Sequence, residues 1–163
     1  MRPLSETEFS YLWENKEDMN PAEAPELVEA LSRSQPDMLN YLMATGGDIL
    51  EQSEREVLFY MGVLLWYVID TLGFNIPLIQ LETLVENENK NFEMLEYLAG
   101  EPETEFMATV QKIMDHYNQA ELLRYIIEKI MEEPHRDVPV LEDHIGIMVI
   151  YLKTCIDCID AVI

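Results

Sequence analysis

The sequence predicts an all-α fold: one single-domain helical bundle of about seven or eight helices, with two long apolar helices at its centre. Three observations predict it. Apolar residues recur at spacings of three and four through most of the chain, the period of a helix face. No stretch alternates apolar and polar residues between turn dipeptides, as a half-buried strand would. Val57 to Ile69 is a run of thirteen positions without a charge, apolar on every side, so a helix there must be covered on most sides. A length of 163 residues and a hydrophobic content of 48% suit one domain with its own core.

The elements follow in order. Ser5 and Glu8 form a capping box for a short helix that carries Phe9, Leu12 and Trp13 inward and runs to about Asp18. Asn20-Pro21 reads as a cap and first turn, with the helix proper starting near Pro25 and burying Leu27, Val28 and Leu31. Gln35-Pro36 opens a third helix with Met38, Leu39 and Leu42, closed by Gly46-Gly47. Two boxes compete to start the central helix, Asp48 with Glu51 and Ser53 with Glu56, and Gly73 stops it. The polar run from Glu51 to Glu56 reads as its solvated first turns.

Asn75-Ile76-Pro77 starts the next helix, which breaks at Glu86–Asn91, a run of residues that favour caps and turns; Phe92, Leu95 and Leu98 form a second piece up to Gly100. Pro102 lies in the first turn of a helix ending near Tyr117, and Asn118 caps another that stops at Glu133-Pro134. A last long helix runs from about Val140, apolar from Ile145 to Leu152.

The charge narrows the function. Ten Lys and Arg against 32 Asp and Glu give a formal net charge of -22. Direct nucleic-acid binding and anionic membranes both need clustered positive charge, so neither is expected. The central run is too short to span a bilayer, and residues 1–6 lack the basic start and apolar stretch of a signal peptide, so a cytoplasmic location is expected. Cys155 and Cys158 sit one turn apart among apolar neighbours and read as reduced core residues rather than half of a metal site. The same holds for most of the ten methionines.

The two halves, residues 5–73 and 78–163, look alike: short helices, then one long apolar helix. A shift of 83 sets Phe9 and Leu12 on Phe92 and Leu95; one of 84 sets Gln35, Leu39 and Tyr41 on Gln119, Leu123 and Tyr125; one of 87 sets Met61, Leu65, Ile69 and Asp70 on Met148, Leu152, Ile156 and Asp157. An ancestral duplication would give such a drift through loop insertions.

Asp70 ends the apolar run near a helix C-terminus, where negative charge is disfavoured. Asp157 sits alike, with Asp160 one turn on, and His144 opens the same helix. Together Asp70, Asp157, Asp160 and His144 are the candidate polar site, able to bind a cation or a basic side chain if the helices bring them together. The plainer reading sends Asp70 to solvent. Asp143-His144 before Ile145–Leu152 is similar to the Asp-His signature of the all-helical redox-enzyme maturation chaperones. The Glu-Pro of that signature falls on Val140-Leu141 here, so the resemblance is set aside. Glu132 and His135 have the Glu-x-x-His spacing of carboxylate-bridged metal bundles, but Pro134 interrupts the helix and no second motif exists. No nucleophile elbow or phosphate loop is present, and no cofactor is expected.

The leading functional expectation is a non-enzymatic adaptor or chaperone-like module whose partner is a protein with a basic or amphipathic surface. A second is an inhibitor that mimics nucleic-acid charge. A third is an enzyme or cation-binding protein working from Asp70 and Asp157. Homodimerisation is expected if the central helices are not fully covered within one chain.

Overall fold

Thirteen uncharged positions on one helix need cover on nearly every side, and five helices packed directly on a central pair supply it. The computed structural model of the protein describes residues 1–17, 23–132, 140 and 142–163. Eight helices appear among these, and no strand: α1 (Glu6–Glu17), α2 (Ala24–Ser34), α3 (Pro36–Ala44), α4 (Gln52–Thr71), α5 (Leu81–Ala99), α6 (Glu103–His116), α7 (Ala120–Met131) and α8 (Glu142–Val162). The expected Asn20-Pro21 start, the Glu133-Pro134 stop and the Glu132–His135 spacing involve residues outside those described.

The two longest helices, α4 and α8, are packed together at the centre. Leu58, Leu65, Val68 and Ile69 of α4 and Met148, Leu152, Cys155 and Ile156 of α8 are wholly shielded from solvent. Helices α1, α2 and α3 pack on α4, and α5 and α7 on α8. Besides the central α4–α8 pair, two contacts cross between the halves, α1 with α7 and α3 with α5. Gly62 lets α3 approach α4, since a Cβ there would lie 2.4 Å from a Leu42 methyl. Gly73, at φ +85°, turns the chain out of α4 as expected. Among the described residues no helix is long and apolar enough to cross a membrane.

Several local expectations are corrected. The box at the start of α4 is neither Asp48–Glu51 nor Ser53–Glu56: Glu51 is the cap, and its N–H donates to Glu54 Oε2 at 2.9 Å. Glu54 is 2% exposed rather than solvated. Helix α5 starts at Leu81, not near Pro77, and runs unbroken through Glu86–Asn91. Its asparagines are recruited instead of breaking it: Asn87 donates back to Thr83 O, and Asn91 is buried against α8. Gln119, not Asn118, caps α7. Met43 and Met131 are exposed rather than core.

The extended segments ahead of α1 and α5 are held by matching clamps. Gln35, the buried cap of α3, donates Nε2 to Ile76 O at 3.2 Å and Pro77 O at 2.9 Å, and its Oε1 accepts the Ile79 N–H at 2.9 Å. Gln119, the buried cap of α7, donates Nε2 to Arg2 O at 3.0 Å and accepts the Leu4 N–H at 3.1 Å. Two positions on, Asp37 accepts the Leu81 N–H at 3.0 Å and Glu121 accepts the Glu6 N–H at 2.7 Å. Leu4 and Ile79 are both buried, so their N–H groups need the partner they receive.

Candidate functional site

Most of the carboxylates singled out above serve separate structural networks. Asp157 accepts from Lys153 Nζ at 2.7 Å, Asn91 Nδ2 at 2.8 Å and Tyr117 OH at 2.8 Å. Lys153 also donates to Asn91 Oδ1 at 2.9 Å and lies 4.7 Å from the Tyr117 ring centroid. Asn91 completes the set with a bond to Thr154. Lys153, Asn91 and Thr154 are buried, so each charge and amide is matched rather than stranded. Burial, and then the Asp157 charge, push the Tyr117 hydroxyl far above its ordinary value.

Asp160 accepts from Asn118 Nδ2 and Gln119 Nε2, each at 2.8 Å, and so anchors the α7 cap. His144 Nδ1 lies 2.7 Å from Glu54 Oε2, joining the first turns of α8 and α4. Asp70 is exposed and its side chain makes no hydrogen bond or ion pair among the described residues. No hydrogen bond or ion pair among the described residues joins any two of Asp70, Asp157, Asp160 and His144. Among the described residues no group of three His, Cys, Asp or Glu could hold a metal ion. Both thiols are free and buried. Burial, followed by the neighbouring charges, raises both thiols, Cys158 to about 12.

A concave feature lies elsewhere. A groove of about 470 Å³ opens between the end of α3, the turn at Gly46-Gly47, and the first turns of α5. Ile49, Leu81 and Val85 line it and are 47%, 42% and 45% exposed, an uncommon cost for three aliphatic side chains. Leu78, three residues ahead of α5, is also exposed. Asp48 and Glu88 supply acids among the lining residues, with Tyr41 and Tyr151 behind them. The Tyr41 hydroxyl is shielded from solvent, with the Glu88 and Thr154 side chains close by. Burial, then the nearby Cys155 and Glu88, raise it far above its usual value.

Gln35, Gln119, Asn91 and Lys153 carry buried polar contacts; the sequence pairs Gln35 with Gln119 at a shift of 84 but gives neither a polar role, and it does not single out Asn91 or Lys153. One signal was available for Lys153: it is a lone cation in an apolar helix, four residues before Asp157. The groove had no such signal, because it exists only once α5 is set against α3. In comparison with known proteins, no family model, curated protein or solved structure matches the chain.

Proposed function

We propose that the protein is a non-enzymatic interaction module of the cytoplasm that docks a basic, amphipathic protein segment in the groove beside Tyr41. The observation that carries this reading is the pairing of exposed Ile49, Leu81 and Val85 with Asp48 and Glu88 in one concavity. An amphipathic helix lays apolar anchors into such a groove and sets its cations against the acids. The overall charge of -22 draws such a partner in from a distance.

The matching clamps of Gln35 and Gln119 support an ancestral duplication of a four-helix unit, with α1–α4 and α5–α8 as its two copies.

The test is calorimetry of the full chain with a synthetic amphipathic helix of Lys and Leu, over a salt series. Binding that weakens with salt and is lost in Val85→Lys is the expected result. An affinity indifferent to salt, or unchanged by Val85→Lys, overturns the reading. Sedimentation of the protein alone checks whether a second copy of the chain fills the groove instead.

A further inference from the structure

We infer that the cation the groove recognises is a lysine ammonium, held by Asp48 and Glu88 at the C-terminal end of α3, an inference that rests on the docking role proposed above. The C-terminus of a helix carries partial negative charge, and the last turn of α3 has no Lys, Arg or His to offset it. One flank of that end is served from α4, where Arg55 donates to Met43 O at 3.1 Å. The other flank, from Ala44 to Asp48, is a wall of the groove, and no residue lining the groove is basic.

Asp48 and Glu88 add two carboxylates to this negative end, and neither forms an ion pair among the described residues. Burial, then the charges of Glu88 and Asp48, raise the Tyr151 hydroxyl, so both acids are gathered about one part of the groove floor. Glu88 stands beside the Tyr41 hydroxyl, which steadies it and leaves it further lone pairs to offer.

The lining favours lysine over arginine. Ile49, Leu81 and Val85 form an aliphatic ledge that suits a four-carbon stem, and an ammonium brings three donors to acceptors in different directions. Arginine's advantages are a planar fork for one carboxylate and a flat face for stacking on a ring. Tyr41 and Tyr151 are 5% and 6% exposed, so neither ring offers it a face. Acetylation of that lysine removes the charge the site holds, so docking answers to this modification of the partner.

The experiment uses the whole chain and an amphipathic helix of Leu and Arg with a single Lys at the edge of its apolar face. The peptide is made with Lys, acetyl-lysine or Arg at that position. The Lys form binds about tenfold more tightly than the acetylated form, and several-fold more tightly than the Arg form. Glu88→Gln, close in shape, lowers the Lys form to the level of the acetylated one and leaves the acetylated one unchanged. In amide NMR spectra of the wild-type chain, the Lys form shifts Gly46 and Gly47, so the site is located even if Glu88→Gln disturbs the fold. Equal affinity of the Lys and acetylated forms, or an Arg form as tight as the Lys form, overturns the lysine site and leaves the docking role standing. So does a Lys preference that survives Glu88→Gln, or shifts that spare Gly46 and Gly47. Binding of none of the three peptides overturns both.

Discussion

Gln35 and Gln119, 84 positions apart, each hold a backbone segment that precedes a helix of the opposite half, through the same donor and acceptor pattern. Each amide satisfies one buried N–H and at least one carbonyl that have no other hydrogen bond among the described residues. Gln35→Ala and Gln119→Ala should each cost about 3 kcal/mol in urea unfolding, the desolvation of two or three orphaned groups. Glutamate is no rescue at either position, because a carboxylate cannot donate to Pro77 O or Arg2 O. A loss below about 0.5 kcal/mol in either alanine variant would count against the clamp.

Asp157→Ala leaves the buried Lys153 ammonium without its counter-ion and removes one acceptor from the Asn91 amide. The expected cost is about 3 kcal/mol. Asp70→Asn, at an exposed side chain with no partner among the described residues, should stay within about 0.5 kcal/mol of the parent. The contrast between the two, measured on one denaturation series, separates a structural carboxylate from a solvated one.

His144→Ala removes a partner of the nearly inaccessible Glu54 carboxylate at the junction of α4 and α8. Thermal unfolding should report about 2 kcal/mol of lost stability. His144→Gln, which can still donate to Glu54, should recover part of it; equal losses would point to packing rather than to the hydrogen bond.

Glu8 accepts from the Ser5 N–H and hydroxyl and pairs with Arg2, and these contacts, the Arg2 bond foremost, hold its carboxyl down at about 2. Its folded-state pKa lies below the unfolded one, so its contribution is present above the ordinary value of 4.5 and is lost as pH falls toward 2. The site is exposed, so the effect on stability is small and best read by NMR titration of the side chain. A midpoint near 4.5 would show that the Ser5 and Arg2 contacts are not kept in solution.

At the alkaline end the sign reverses. In the folded chain Cys158 holds its proton to about 12, against an unfolded value of 9.0, so stability falls as pH rises from 9 toward 12. Cys155, Tyr41 and Tyr117 act in the same direction. Iodoacetamide at neutral pH should leave both thiols unmodified in the native protein and alkylate both in urea. Ready alkylation of the native chain would contradict their burial.

Helix number and the central pair were legible because periodicity and the run from Val57 to Ile69 depend only on neighbours in sequence. The box of Ser5 and Glu8 was legible for the same reason. The break expected at Glu86–Asn91 failed because asparagine's local preference is outweighed by what Asn91 gains on α8, a partner 62 to 66 positions away. Capping by Gln119 was hidden for a similar reason: glutamine is a poor cap alone, and here it is fixed by residues 2 and 4. Of the polar candidates, Asp157 and Asp160 stood out for their place at the end of an apolar run and His144 for opening the same helix, and all three are half-buried. Their partners lay on other helices and could not be read from spacing.

The paired clamps are alike in space and unlike in time. Gln35 meets Ile79 across 44 positions, whereas Gln119 meets Leu4 across 115. Closing the longer loop costs about 1 kcal/mol more chain entropy. On a ribosome the first clamp can shut as soon as α5 emerges, but residues 2–6 must wait until the cap of α7 has been made. Folding therefore has an order written into it, with the segment synthesised early among the last to be fastened.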